Sequence, residues 1–294
     1  MDASIVIRTY NEAKWLPEAL RGVQAQELGD LKAEVVLVDS GSTDDTREIA
    51  RAHGCRIVEI AKSDFTFGRS LNYGCDAALG RNLVFISGHC IPDSPRWLAN
   101  LIRPLDEGLC VYSYGRQYGR PDVTKFSEEM LFRKYFPEAS ALPQDGFFCN
   151  NANAALPKAV WSEHPFDEEV TGLEDMVLAK RLVEQDMKIG YVADAPVIHL
   201  HEETWSKVKI RYEREAVALQ DIMPEVHLRF RDLVRYTAAG VFHDWSEALS
   251  RKTFWREAGG IVMFRAMQYW GAYQGNNNHR RLSQSRKDRY FYPR

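Results

Sequence analysis

The stretch Glu34-Val35-Val36-Leu37-Val38-Asp39-Ser40-Gly41-Ser42-Thr43-Asp44-Asp45-Thr46 decides the fold. Its apolar run, mostly β-branched, reads as a strand buried on both faces, the pattern of a parallel sheet covered by helices. The run stops at an acid, and Ser40-Gly41-Ser42-Thr43 supplies small turn-forming residues. Thr43 or Asp44 then N-caps a helix through Thr46-Arg47-Glu48-Ile49-Ala50. Ligands of open α/β sheets sit outside the carboxyl ends of the strands. Asp39 is thereby delivered to the rim of a crevice, where a carboxylate accepts hydrogen bonds from a base or ribose. An acid at a strand end also serves as a plain turn cap, so both roles stay open here.

Upstream, Ser4-Ile5-Val6-Ile7 is a buried strand ending in Arg8-Thr9-Tyr10-Asn11-Glu12. Trp15, Leu16, Ala19, Leu20 and Val23 follow at helical spacing. Downstream, the helix after Asp39 ends at Gly54 and a third strand covers Arg56 to Ile60. Strand, helix, strand, helix, strand opens a doubly wound α/β sheet, mostly parallel, with helices on both faces.

The bulk numbers narrow the class. A chain of 294 residues builds one large core, or a core with an appendage. Lys+Arg 38 against Asp+Glu 41 gives a net charge of -3, which points away from nucleic acid. Cys55, Cys75, Cys90, Cys110 and Cys149 are dispersed without a CxxC pair, as expected of reduced thiols in the cytoplasm. The start carries no basic-then-apolar signal segment, and no apolar run approaches the ~20 residues that span a bilayer. The expectation is a cytoplasmic protein, at most peripheral at the inner face of the membrane. No G-x-G-x-x-G follows the first strand, which argues against a dehydrogenase. The loop after that strand also lacks the Gly-rich, basic character expected of a nucleotidyltransferase.

Ile5 to Ala13, followed by Val36 to Asp44, resembles the opening of the family 2 glycosyltransferases, which have the GT-A fold. The resemblance extends over about residues 3 to 205. It implies an inverting enzyme that moves a sugar from a nucleotide-sugar donor to a hydroxyl of a glycan or lipid-linked acceptor, in bacterial envelope or capsule polysaccharide synthesis. By the same resemblance Thr9, Tyr10, Glu12, Asp39 and Ser40 line the donor's base and ribose. Arg69, in the helix opened by Phe67-Gly68-Arg69, suits a diphosphate because its planar fork binds phosphate bidentately. Gly68 allows a tight approach there.

Where the family has Asp-x-Asp holding a divalent cation, this chain has Ser87-Gly88-His89. Imidazole suits manganese better than magnesium. Three readings stay open for His89: metal ligand, cation-independent donor to phosphate, or a histidine filling the strand end. His199 and His201 share one face of an extended strand, and the resemblance implies one of them at the metal or diphosphate. His201 is the nearer to the loop mouth. Arg116 and Gln117 fall in a segment resembling the Tyr-Gly-Arg-Gln of rhamnosyltransferase-like members, near the acceptor, and Asn153 and Trp205 join them as candidate acceptor contacts. The aromatic-rich stretch from Pro121 to Pro143 suggests a lid or acceptor wall.

Glu174-Asp175 opens an amphipathic helix through Glu184, where the dipole favours ionised carboxylate. An unprotonated acid at a crevice can activate a hydroxyl. The pair matches the family's Glu-Asp motif, which implies Asp175 as base and Glu174 as the residue that orients the acceptor. The competing class is a degenerate binding module of the same fold; the missing Asp-x-Asp favours it and the retained Glu174-Asp175 opposes it.

From residue 206 the pattern becomes helical, with a break at Pro224. The expected division is a transferase domain over 1–205 and a C-terminal helical extension over 206–294. The aromatic and basic content of the extension fits buried helix packing or a membrane-surface face, and the basic end, 276–289, suits anionic lipid. Homo-oligomerisation is compatible with this reading.

Overall fold

The computed structural model describes residues 1–277 and 289–292. In chain order the elements are β1 (Ala3–Thr9), α1 (Leu16–Gln24), β2 (Ala33–Asp39), α2 (Thr46–Ala52), β3 (Arg56–Glu59) and α3 (Phe67–Ala77). Then come β4 (Asn82–Ser87), β5 (Cys90–Pro92), α4 (Trp97–Asp106), β6 (Tyr112–Tyr118), α5 (Phe126–Tyr135) and β7 (Asn153–Pro157). The chain continues through α6 (Lys158–Glu163), α7 (Glu174–Val183), β8 (Ile189–His199), α8 (Trp205–Ile222), α9 (Phe230–Ser250) and α10 (Phe254–Asn276).

Two compact units divide these elements. The first comprises Met1–Tyr118, Phe136–Glu169 and Glu174–Leu200. It holds an eight-stranded sheet in the order β3-β2-β1-β4-β7-β6-β8-β5. β1 pairs in parallel with both β2 and β4, β2 with β3, and β6 with β8. β7 enters antiparallel between β4 and β6, and β5 closes the edge antiparallel to β8. The sheet is mixed with a parallel majority. Val36, Leu37 and Val38 are buried as a two-faced core strand should be, beside Ile5, Val6 and Ile7.

Register carries the functional ends to one rim. Thr9 lies opposite Asp39, and Arg8 lies opposite Ser87. One helix start differs from expectation. The N-cap of α2 is Asp45, without a side-chain cap bond. Asp44 instead accepts from the Thr46 amide (3.1 Å) and hydroxyl and from the Ala13 amide (3.1 Å), because its carboxylate is drawn to the neighbouring β1 loop.

The second unit comprises Gly119–Tyr135, Val170–Leu173 and His201–Arg294. It therefore begins at His201, a few residues before the expected boundary, and it also takes in α5. The reason is packing: Arg251 in the α9–α10 turn reaches Glu129 of α5 at 3.0 Å, and Phe126 packs with Val241, Ala248 and Ile261. The Pro121–Pro143 stretch is thus split, with α5 a member of the helical unit. Within that unit Arg265 pairs with Asp244 through two hydrogen bonds of 2.7 and 2.9 Å, both side chains buried. α8 ends at Ile222, just ahead of Pro224. Of the basic end expected to meet lipid, 278–288 lie outside the described residues.

Candidate active site

The loops after β1 and β2 are stitched together by polar side chains. Asp39 is 1% exposed, and its Oδ1 accepts from the amides of Gly41 (3.1 Å) and Ser42 (2.9 Å). Its Oδ2 accepts from the hydroxyls of Ser42 and Thr9, the latter at 3.3 Å. Ser40 donates to the Thr9 carbonyl at 3.2 Å. Thr9, Asp39 and Ser40, expected to touch the donor themselves, are buried, with the Asp39 carboxylate accepting from Thr9, Gly41 and Ser42. Asn11 completes the stitching at φ 56, a left-handed conformation that asparagine tolerates, and accepts from the Thr43 amide at 2.8 Å. Tyr10 and Glu12 stand half-buried on the rim, with Lys62 donating to the Tyr10 hydroxyl at 3.0 Å.

Arg69 is engaged with protein: its Nε donates to Glu168 at 2.7 Å and its Nη1 to the Asp64 carbonyl at 2.9 Å. The cation nearest the acid pair is instead Arg8. It donates to Glu174 at 2.9 Å and to the Phe67 carbonyl at 3.1 Å, so the end of β1 is tied to the start of α7. Nothing local in the sequence gives Arg8 this partner; a separation of 166 residues hides the pairing.

Asp175 is buried beside Glu174. Its Oδ2 accepts from the Asn151 amide and its Oδ1 from the Met176 amide, both at 2.8 Å. Burial, and then the negative charge of Glu174, push its carboxyl up to about 7, against the pull of those amides and of Arg8. The dipole alone led to an acid ionised in the ordinary range; desolvation outweighs it. The outcome is a carboxylate poised near neutrality, the condition for a general base at that pH.

A second line of side chains starts from the same segment. The Asn150 Oδ1 accepts from the Ala152 amide at 3.0 Å and from the Gln117 Nε2 at 3.1 Å. That fixes Gln117 with its Oε1 toward His199 Nδ1 at 2.7 Å. His89 Nδ1 faces the Glu12 carboxylate at 2.8 Å. Both partners only accept, so both imidazoles carry hydrogen on Nδ1, and in the neutral ring the lone pair is on Nε2. The rings stack at 5.2 Å, with ligand atoms within 4.8 Å of each other. Such outer-sphere support is what metal-ligating histidines receive. Two imidazole nitrogens suit manganese or another borderline ion rather than magnesium, so the donor set fits a cation of that kind.

The remaining expected residues fall in several places. Gln117 is buried and positions His199. Asn153 is 0% exposed and saturated, accepting from Trp97 Nε1 (2.8 Å) and donating to the carbonyls of Ala195 (2.8 Å) and Arg116 (3.1 Å). It is a strand-bridging amide, and burial removes it from the acceptor. Arg116 meets Glu138 at 3.0 Å. Ser87 is half-buried at the end of β4. In the second unit, Trp205 opens α8 beneath Lys125, 5.3 Å away. His201 Nδ1 faces Glu128 at 2.7 Å, and Arg211 bridges Glu128 (2.6 Å) and Glu203 (2.8 Å). The Asn150-Asn151-Ala152-Asn153 run reads in sequence as amides able to approach a sugar, but the pattern does not say which amide meets Asp175 and which supports Gln117. The buried Nδ2 of Asn151 has no hydrogen-bond partner among the described residues.

Residues 4–164, more than half of the chain, match the model of the glycosyl transferase family 2. The chain belongs to that family. Among relatives of this family 2 member, the O-antigen chain rhamnosyltransferase WbaN of Salmonella anatum is 26% identical over 213 residues, 68% of this chain and 67% of that protein. The O-antigen chain rhamnosyltransferase RfbN of Salmonella typhimurium is 25% identical over 215 residues, 69% and 68% of the two chains. Solved structures share the fold. The mannosyltransferase PcManGT of Pyrobaculum calidifontis, in complex with GDP-Man and Mn2+, aligns with TM-score 0.62 at 17% identity over 92% of this chain and 84% of that one. TarS 1-349 of S. aureus aligns with TM-score 0.54 at 14% identity, over 95% and 93%. The family 2 chain is a glycosyltransferase of GT-A fold, with relatives in O-antigen polysaccharide synthesis.

Proposed function

We propose that this glycosyltransferase inverts the anomeric centre, moving a hexosyl or deoxyhexosyl group from a nucleoside-diphosphate sugar to a hydroxyl of a glycan or lipid-linked saccharide in bacterial envelope or capsule polysaccharide. The observation that carries the reading is Asp175: buried, held by two backbone amides, and tied through Glu174 and Arg8 to the end of β1. Asp175 takes the proton of the acceptor hydroxyl. The acceptor oxygen then bonds to the anomeric carbon as the bond to the diphosphate breaks on the opposite side. Asn151 Nδ2, buried beside the base and unpartnered, suits a hydrogen bond to the acceptor or sugar. Glu174, fixed by Arg8, orients the acceptor.

The loops framed by Thr9, Asp39 and Ser40 present Tyr10 and Glu12 to the nucleotide. The Arg69 guanidinium reaches the diphosphate by exchanging Glu168. A divalent cation, where bound, would neutralise charge on the departing diphosphate, held by His89 with His199. The Mn2+ and GDP-Man of the Pyrobaculum structure support a nucleotide donor and a cation, and the names of the Salmonella relatives support a deoxyhexose in polysaccharide synthesis. A thermal-shift screen of uridine, thymidine, guanosine and cytidine diphosphates and their sugars, with manganese, magnesium or chelator, tests this. Stabilisation by one nucleotide series is expected, larger with manganese. No response to any nucleotide would defeat the reading, and an unchanged response in chelator would remove the cation from it.

The substitution of Asp-x-Asp by Ser87-Gly88-His89 favours a second reading, a nucleotide- or glycan-binding module without turnover. Binding without transfer to any acceptor would select it.

A further inference from the structure

Helix α10 buries one side within its own unit. A Cβ at Gly271 or Gly275 would lie 2.3 or 2.2 Å from backbone oxygens of α8, and Arg265 meets Asp244 of α9. The opposite side carries Trp255, Gly259, Val262, Met263, Ala266 and Trp270 at helical spacing, with no ionisable side chain among them. Trp255 is 93% exposed, and Val262, Met263 and Trp270 are each 39% exposed. This stripe runs about 22 Å at 1.5 Å per residue. A contiguous apolar surface of that kind marks an interaction face.

Charge frames it at both ends. α9 runs antiparallel to α10, with Phe230 against Tyr273 at 6.2 Å and Trp245 against Phe254 at 5.8 Å. Arg231 and Arg235 are therefore level with the Trp270 end, and Lys252 and Arg256 with the Trp255 end. Arg231, Arg235 and Lys252 are exposed with no acid paired to them among the described residues. Of the hairpin's acids Glu247 is paired with Arg251 and Glu257 with Arg256, while Asp232, which accepts from the Arg229 amide, keeps its charge.

We infer that this face of α10 docks on an anionic lipid surface, with both tryptophans at the headgroup level and the basic residues on lipid phosphates. No described helix is long and apolar enough to cross a membrane, so the contact is peripheral. A second copy of the chain is the competing occupant. Two-fold pairing of the same face would set the Lys252 and Arg256 end of one copy against Arg231 and Arg235 of the other, or against its own counterpart. Basic meets basic in either register, whereas an anionic bilayer complements both ends.

The inference extends the reading of a lipid-borne acceptor, but its test uses vesicles free of saccharide, so docking and transfer succeed or fail separately. The full chain is floated with vesicles of phosphatidylglycerol and phosphatidylcholine, and with phosphatidylcholine alone. Binding to the mixed vesicles, weakened by salt, is expected. Trp255→Ser should weaken it roughly tenfold through lost apolar burial. Arg231→Gln with Arg235→Gln should weaken it by roughly fivefold per charge. All of these positions are exposed, and circular dichroism checks that the variants fold. Absence of binding to the mixed vesicles, or binding untouched by either variant, overturns the inference. So does a stable dimer without lipid, by light scattering, that Trp255→Ser dissociates.

Discussion

Asp175 gives up its proton late because the pocket is dry and Glu174 is adjacent, while Arg8 pulls the other way. The transfer rate, as kcat/KM, should rise with pH through about 7, and Arg8→Met should move that rise to higher pH. A profile flat across neutrality, or one unmoved by Arg8→Met, would contradict the role given to Asp175. The same shift acts on stability. Between the ordinary value of 3.8 and about 7 the folded state holds a proton that the unfolded chain has released, so stability falls as pH rises through that window. Glu128 is the opposite case. Burial alone would raise its carboxyl, yet His201 and Arg211 bring it down to about 2, and its contribution is lost as pH falls from 4.5 toward that value. Glu128→Gln should cost about 3 kcal/mol in urea unfolding at neutral pH, because Arg211 keeps only Glu203. An unchanged midpoint would show the pair to be idle. The place of Glu174 and Asp175 at a helix start was legible as a local acidic pattern, whereas the role of base is what the family resemblance implies. The pairing of Arg8 with Glu174, and the particular contacts of Asn150 and Asn151, were not legible, since they exist only once distant segments meet.

The paired openings of β1 and β2 were readable because strands buried on both faces announce themselves as apolar runs ending at polar turns. Caps and turns were less so: Asp44 and Asp45 are chemically equivalent as text, and only the neighbouring β1 loop decides which one caps α2. Asn153 looked available in a run of small and amide residues, but the β7 strand turns it inward among Trp97, Arg116 and Ala195. The tight approach expected at Gly68 is present. A Cβ there would stand 1.9 Å from the Asp167 carbonyl oxygen, where α3 meets the loop carrying Glu168. Gly68→Ala should therefore cost about 1–3 kcal/mol by overpacking. A thermal midpoint equal to that of the unaltered chain would show that the loop yields freely.

For the molecule as a whole, the α/β class followed from the strand-helix alternation, whereas the insertion of antiparallel β7 between β4 and β6 did not. Nothing in a strand's own pattern names its neighbours. The helical unit was visible as a change of period near residue 206, but the recruitment of α5 depends on contacts such as Arg251 with Glu129, from segments far apart in sequence. What unites the first unit is a rim where Thr9 lies opposite Asp39 and Arg8 opposite Ser87, and where Asp175 is tied by way of Glu174. Asp175→Asn, assayed side by side for sugar transfer and for calorimetric binding of the nucleoside diphosphate that stabilises the unaltered chain, tests this arrangement most directly. Transfer should disappear while nucleotide affinity persists. Transfer at the unaltered rate would contradict the assignment of Asp175 as the base.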